Sequence, residues 1–438
     1  MRNLSNYEIL NSIIIIKEKM KKSNNHINTS LNSPLGVGGS NPPFRGLGGS
    51  SEGSSGQTRI LALDILRGIT IAGMILVNNP GMWGKIYAPL EHAQWNGLTP
   101  TDLVFPFFMF IMGISMFIAL RKFNFEPSLP TIRKILKRAV LLYLVGLGIA
   151  WFSLTCRSFN SAELSALPFF ERLGKAMWNF DRIRILGVIP RLALCYGIGS
   201  LVIVTLKHKY IPWLIAALLV GYSILLLVGN GYAYDRTNIL SIVDYNVLGE
   251  AHMYNDNGIE PEGILSTIPA IAHVLLGFFV GKIMMETNDI HQKIERLFLI
   301  GAILTFSGFL LAYGLPINKK IWSPTFVLTT CGLGSTLLAL LIWIIDVKGQ
   351  KKWSRFFEAF GINPLFMYVL GAVLSIIIGN IMVYAGGKTI SLKGYIYNNL
   401  LQPVFGDYPA SLVYALLFVG FNWIFGYYLY KKKIYIKL

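Results

Sequence analysis

Runs of roughly 20 apolar residues, the length a helix needs to cross a bilayer, recur from Arg59 to the C-terminus. They centre on residues 60–80, 101–120, 136–154, 185–206, 210–228, 264–284, 297–315, 323–345, 357–384 and 409–430. This pattern predicts an all-α polytopic membrane protein, a bundle of about ten transmembrane helices. The ninth run is the longest, and Asn363-Pro364 near its start predicts a tilt or break there. Residues 1–57 lack the pattern. Their "NSPLGVGGSNPPFRGLGGSSEGSSG" is a Gly/Ser/Pro-rich stretch expected to be a disordered, dispensable tail. The preceding "SIIIIKEKMKK" is too short for a signal-peptide core. The chain therefore divides into a low-complexity tail, 1–57, and a membrane domain, 58–438.

Composition supports this reading. Residues are 53% hydrophobic and 14% charged, whereas a soluble domain carries roughly a quarter charged residues. The net charge of +17 is gathered into short clusters between apolar runs, so it reads as a topology signal rather than a nucleic-acid surface. Arg121, Lys122, Arg133, Lys134, Lys137 and Arg138 follow the second run, and Lys207 and Lys209 the fourth. Lys348, Lys351, Lys352 and Arg355 follow the eighth, and Lys431 to Lys433 the tenth. Alternate loops, and both termini, are thus expected to be cytoplasmic. Loop 229–262, with Asp235, Asp244, Glu250, Asp256, Glu260 and Glu262, falls on the other side. Lys319 and Lys320 break the rule, because they lie in a short outward loop. Three cysteines without paired spacing indicate neither a disulfide framework nor a zinc site.

A charge inside a span is costly and needs a partner or a task. Asp64 and Arg67, three apart in the first run, can pair on one helix face. They serve either as an internal ion pair or as an anion site. Arg191 follows Pro190 in the fourth run and has both a structural and a substrate role open to it, because a proline in a span frees a carbonyl. His273 reads as a core hydrogen-bonding residue, and Gly277 and Gly281 after it as a close helix crossing.

The sharper constellation is "LEHAQWNGLTPTDLVFPFFMFIMG". His92 stands just outside the second run and Asp102 at its mouth. An imidazole with a neighbouring carboxylate has its tautomer fixed, the arrangement used in general-base and nucleophilic work. Asn78, at the far end of the same loop, is a candidate donor to a developing oxyanion. Trp95 fits an interfacial belt equally well. No Walker loop, GxGxxG, HExxH or GxSxG is present.

The ordered series "RILALDILRGITIAGMILVNNPG", "HAQWNGLTPTDLVFPFFMFIMG", "RIRILGVIPRLALCY", "PEGILSTIPAIAHVLLG", "PINKKIWSPTFVL" and "FGINPLFMYVL" resembles the heparan-α-glucosaminide N-acetyltransferase family and its bacterial relatives. The resemblance implies an acetyltransferase in a bacterial inner membrane, without a large lumenal domain ahead of the first span. It would move acetyl from cytosolic acetyl-CoA to an amino sugar on the far side, with no metal. His92 then matches the family's active-site histidine, with Asn78 and Asp102 as its partners in catalysis. His92 is implied to activate the acceptor amine or to carry the acetyl group itself. Asp64, Arg67, Arg121, Lys122 and Arg191 become candidates for the CoA end. Trp95, Asn96, Glu262, Asn318, Lys319 and Trp322 become candidates for the acceptor end, the last three as an outer lid. The stretch "NNPGMWGKIYAPLEH" departs from the family's glycine-rich pattern. O-acetylation of an envelope polysaccharide and multi-span transport are the alternative readings, and a homodimer is a candidate assembly.

Overall fold

The computed structural model describes residues 60–436 apart from Asn255; the tail expected over 1–57 lies outside that range. The principal helices are α1 (Leu61–Val77), α2 (Val104–Leu120), α3 (Leu129–Phe159), α4 (Phe169–Met177), α5 (Val188–Thr205), α6 (Ile211–Val228) and α7 (Ile239–Leu248). They continue with α8 (Thr267–Glu286), α9 (Ile290–Leu311), α10 (Pro324–Ile342), α11 (Arg355–Gly361), α12 (Pro364–Asn380) and α13 (Asp407–Lys431). One antiparallel hairpin, β1 (Met382–Ala385) with β2 (Lys388–Ser391), follows α12 in register Met382 to Ser391.

The chain is an all-α, multi-pass membrane protein. Eight of its described helices are long and apolar enough to cross: α2, α3, α5, α6, α8, α9, α10 with its extension to Val347, and α13. Helices α11 and α12 make a ninth span bent by 86°. The bend falls at Asn363-Pro364, as expected, because Pro364 has no N–H to continue the helical ladder. Helix α1, at 17 residues, is one shorter than α5 at 18 and falls just short of the length of those crossing helices.

Lipid tails are as apolar as leucine, so helices in a bilayer associate through close packing at small residues rather than through the hydrophobic effect. A Cβ added to Gly113 of α2 would sit 2.1 Å from the Val274 carbonyl oxygen, and one on Gly277 of α8 2.2 Å from that of Phe110. The close crossing expected at Gly277 is therefore real. Gly68 of α1 and Gly361 of α11 meet in the same way, at 1.9 Å from Phe357 O and 2.0 Å from Asp64 O. The most apolar stretches of α5 and α8 are each 67% buried, whereas that of α3 is 6% buried. Helices α2, α5, α8 and α10 thus form the centre, and α3 and α9 present leucine, valine and phenylalanine outward to lipid.

Helix α2, 17 residues, is about 25 Å long at helical rise, so the His92 loop ahead of it and the Arg121 turn after it lie at opposite ends. On the basic end Phe125 packs on His208 at 4.5 Å between centroids, and Asn363 Nδ2 donates to Ile434 O at 2.8 Å. On the other end the loops before α2, α5, α8 and α10 knit together into a polar cap. Helices α4 and α7 lie in loops that the apolar pattern left unassigned, and each is too short or too amphipathic to register as a span. The ninth run, expected to reach residue 384, instead ends as helix at Asn380 and gives way to β1 at Met382.

Candidate active site

Asp102 is the centre of the cap. The sequence Thr99-Pro-Thr-Asp102 opens α2 through a short 3₁₀ turn with a reciprocal cap: Thr99 and Asp102 each satisfy the other's backbone N–H. The cap aims the Asp102 carboxylate back toward the loop that precedes it. There Oδ2 accepts from Ala93 N at 3.0 Å, Thr99 N at 3.2 Å and Thr99 Oγ1 at 3.0 Å. Oδ1 faces His92 Nδ1 at 2.7 Å and accepts from Lys319 Nζ at 3.2 Å. The Asp102 side chain is 1% exposed and the His92 ring 45%. A carboxylate only accepts, so the Nδ1 contact puts the imidazole proton on Nδ1 and leaves the Nε2 lone pair for chemistry. Nε2 has no partner among the described residues.

Lys319 is brought 3.0 Å from His92 Nδ1. Burial pushes its ammonium downward in pKa while the Asp102 carboxylate pulls the other way. The loop that carries it is held rigidly. Asn318 N donates to Ser323 Oγ at 2.9 Å and Ser323 N to Asn318 O at 2.9 Å. Gly97 N donates to Ile317 O at 2.8 Å, and Asn318 Nδ2 to Asn96 Oδ1 at 3.1 Å. Gly97 adopts φ +120°, a conformation that costs any residue with a Cβ. Lys320, the other exception to the charge rule, pairs with Asp256 at 2.8 Å and donates to Tyr234 OH at 2.7 Å. Both lysines are paired with carboxylates of their own cap.

Trp95 stacks on Tyr234 at 4.5 Å and donates to Tyr232 O at 2.8 Å. It and exposed Asn96 line the rim beside His92. Asn78 is exposed at the end of α1 and lines a cavity of about 240 Å³ with Asn79, Tyr368 and Ser375. No hydrogen bond joins Asn78 to His92 among the described residues.

Three expected acceptor or donor contacts sit elsewhere. Trp322 is 1% exposed, packed on Phe105, His273 and Phe326, and so is a core residue beneath the loop rather than a lid. Glu262 is engaged by Arg184 Nη2 at 2.6 Å, which Glu260 shares. Arg191 is fully buried; its Nη2 donates to Gly263 O at 3.0 Å and to Ser266 Oγ, and its guanidinium lies 5.3 Å from the Trp322 ring. It braces the cap from below, which favours the structural of its two readings. His273 Nε2 donates to Pro106 O at 2.9 Å, in the core as expected.

Thr99 and Arg184 are the site residues that sequence reasoning passed over. The Thr-x-x-Asp spacing ahead of an apolar run was a legible signal for Thr99. Arg184 had none, since its carboxylates lie 76 and 78 residues away.

A family model described as a domain of unknown function (DUF5009) matches residues 59–170, which contain Asn78, His92 and Asp102. Human heparan-alpha-glucosaminide N-acetyltransferase is 30% identical over 375 residues, 71% of this chain and 52% of that protein. The mouse enzyme of the same name is 27% identical over 383 residues, 73% of this chain and 54% of that protein. The chain is thus similar to these two N-acetyltransferases over most of its own length. It spans about half the length of the curated relatives it matches.

At the opposite end, Arg67 donates to Asp64 at 2.8 Å and to Ser115 Oγ at 3.0 Å, and reaches Gly361 O at 3.4 Å. The expected Asp64–Arg67 pair is therefore formed, and it ties α1 to α2 and α11. Arg121 and Lys122 are exposed beyond it. Among the described residues no group of three His, Cys, Asp or Glu side chains is arranged to hold a metal.

Proposed function

We propose that the chain transfers an acetyl group from acetyl-CoA to the amine of a glucosamine-type sugar, with His92 as the working group. The observation that carries this reading is a half-exposed imidazole whose Nδ1 is committed to a buried, five-donor carboxylate. Asp102 has no free lone pair with which to swing away, so the ring is held with Nε2 toward the open side. Nε2 is then the atom that takes the acceptor's proton or the acetyl group. Trp95, Asn96 and Asn318 supply the adjoining rim against which a sugar stacks and hydrogen-bonds. The donor's thioester lies on the Asn78 side, where the amide is free to donate to the carbonyl oxygen. The Tyr368 and Ser375 walls leave room there for an acyl arm.

Phosphates of the donor are assigned to the basic end, to Arg121 and Lys122 with Arg67 and its Asp64 partner behind them. In this reading the basic end is cytoplasmic, the His92 cap faces out of a bacterial inner membrane, and both termini are inside. The excess of Lys/Arg at that end supports the orientation.

The direct test uses the full chain in proteoliposomes with acetyl-CoA and glucosamine. N-acetylglucosamine forms with wild type, and His92→Ala loses that activity while keeping its fold. Turnover retained in His92→Ala removes the assignment. Acetylation of an N-blocked sugar but not of the free amine makes the product an ester and the enzyme an O-acetyltransferase.

A further inference from the structure

The His92–Asp102 contact has a third member that an ordinary histidine–carboxylate dyad lacks. Lys319 Nζ, His92 Nδ1 and Asp102 Oδ1 form a triangle with sides of 2.7, 3.0 and 3.2 Å. Its two nitrogens both carry hydrogens toward one oxygen. Lys319 has little freedom to leave: the hydrogen bonds from Gly97 to Ile317 and from Asn318 to Asn96 pin its loop to the His92 loop, and Tyr222 OH fixes Ile321 O from below at 2.7 Å. Its side chain is 21% exposed, and its nearest polar groups are internal.

We propose that Lys319 is a positioning residue that keeps the His92 ring neutral, by holding a cation against Nδ1 and sharing the single carboxylate oxygen the ring depends on. A carboxylate beside an imidazole by itself stabilises the imidazolium, whose Nε2 carries a proton and does no work as a base or nucleophile. With Lys319 in place, a proton arriving at Nε2 creates two cations 3.0 Å apart on one anion. The ring accepts that proton only transiently, when the amine gives it up. The other charges nearby are committed. Glu262 lies within electrostatic reach of Lys319 but is held by Arg184, Lys320 is held by Asp256, and Glu91 is exposed on the solvent side. This inference rests on His92 as the working group; it does not require that the acceptor be an amino sugar.

The test compares wild type, Lys319→Met and Lys319→Arg in the full chain, with Lys319→Gln where the methionine variant does not accumulate. The primary readout is the rate at which diethyl pyrocarbonate acylates His92, followed by mass spectrometry of the His92 peptide as pH is varied. The reagent reacts with neutral imidazole. In Lys319→Met the profile moves to higher pH by about one unit or more, and Lys319→Arg stays with wild type. A Met profile that overlays wild type overturns the proposal. In the transfer assay the acid limb of the rate moves with the labelling, while KM for the acceptor changes less than about threefold. An unchanged pH profile with KM raised about tenfold or more makes Lys319 an acceptor contact instead and also overturns it. Because labelling needs no turnover, a wild type that labels as described but transfers no acetyl group sinks the proposed function alone.

Discussion

Two fully buried carboxylates on the same polar cap, Asp102 and Asp244, are furnished in opposite ways. Asp102 collects five donors, from Ala93, Thr99 twice, His92 and Lys319. Asp244, on α7, takes one, from Ile264 N at 2.8 Å, and its Oδ2 has none among the described residues. Between them stands the Arg184 cluster, where two carboxylates compete for one guanidinium. An oversupplied anion is rigid and orients whatever touches it. An undersupplied one is a standing cost. The first arrangement marks a site built to hold one geometry during chemistry, and the second marks the scaffold that surrounds it.

The largest effect that would break this contrast falls on the rich side. Asp102→Asn keeps the shape but replaces one acceptor oxygen with a donor that faces His92 Nδ1 and Lys319. The ring then favours the wrong tautomer. Transfer is expected to fall by roughly 10³-fold or more, with thermal stability in detergent changed far less. Activity within tenfold of wild type, in a folded protein, would mean that Asp102 caps α2 and does little else.

The next effect falls on the Arg184 cluster and should be felt in stability. Glu260 is fully buried and depends on Arg184 and on Tyr254 N, which donates at 2.7 Å. Arg184→Gln leaves that charge without its counter-ion, at a cost of about 3 kcal/mol. Chemical or thermal unfolding should show the loss, with the His92 labelling profile unmoved. A variant as stable as wild type would show that water reaches Glu260 and that the pair is superficial.

Much of this was legible in the chain itself. Eight of the ten apolar runs became single crossing helices and a ninth a bent pair, because the bilayer imposes length and hydropathy on each one separately, and Pro364 breaks that pair for a purely local reason. Asp64 with Arg67, and Asp102 with His92, were readable because three or ten residues separate them. Lys319 with Asp102, 217 residues apart, and Arg184 with Glu260, 76 apart, were not. Those pairs exist only once α5, α8 and α10 have packed. Trp322 misled for a related reason: an aromatic in a loop resembles a lid until the loop is found folded under itself, with Trp322 at φ +52°.

The smallest effect tests the poor side directly. Burial pushes the Asp244 carboxyl up to about 6, with Ile264 N–H and Arg191 opposing and Glu260 adding to it. The ordinary value is 3.8, so between about pH 4 and 6 the native state holds a proton that the unfolded chain has released. The stability this group contributes is therefore complete at low pH and declines as pH rises through 6. Asp244→Asn retains an acceptor for Ile264 and removes the charge. It should raise the neutral-pH Tm, by an amount corresponding to at most on the order of 3 kcal/mol, and flatten the decline between pH 4 and 6. Other carboxylates titrate over the same range, so the informative quantity is the difference between variant and wild type at each pH. A difference near zero at low pH that grows to a plateau above pH 6 identifies Asp244 as the undersupplied anion. A variant less stable than wild type at neutral pH would show instead that Asp244 Oδ2 has a donor, and the contrast with Asp102 would collapse.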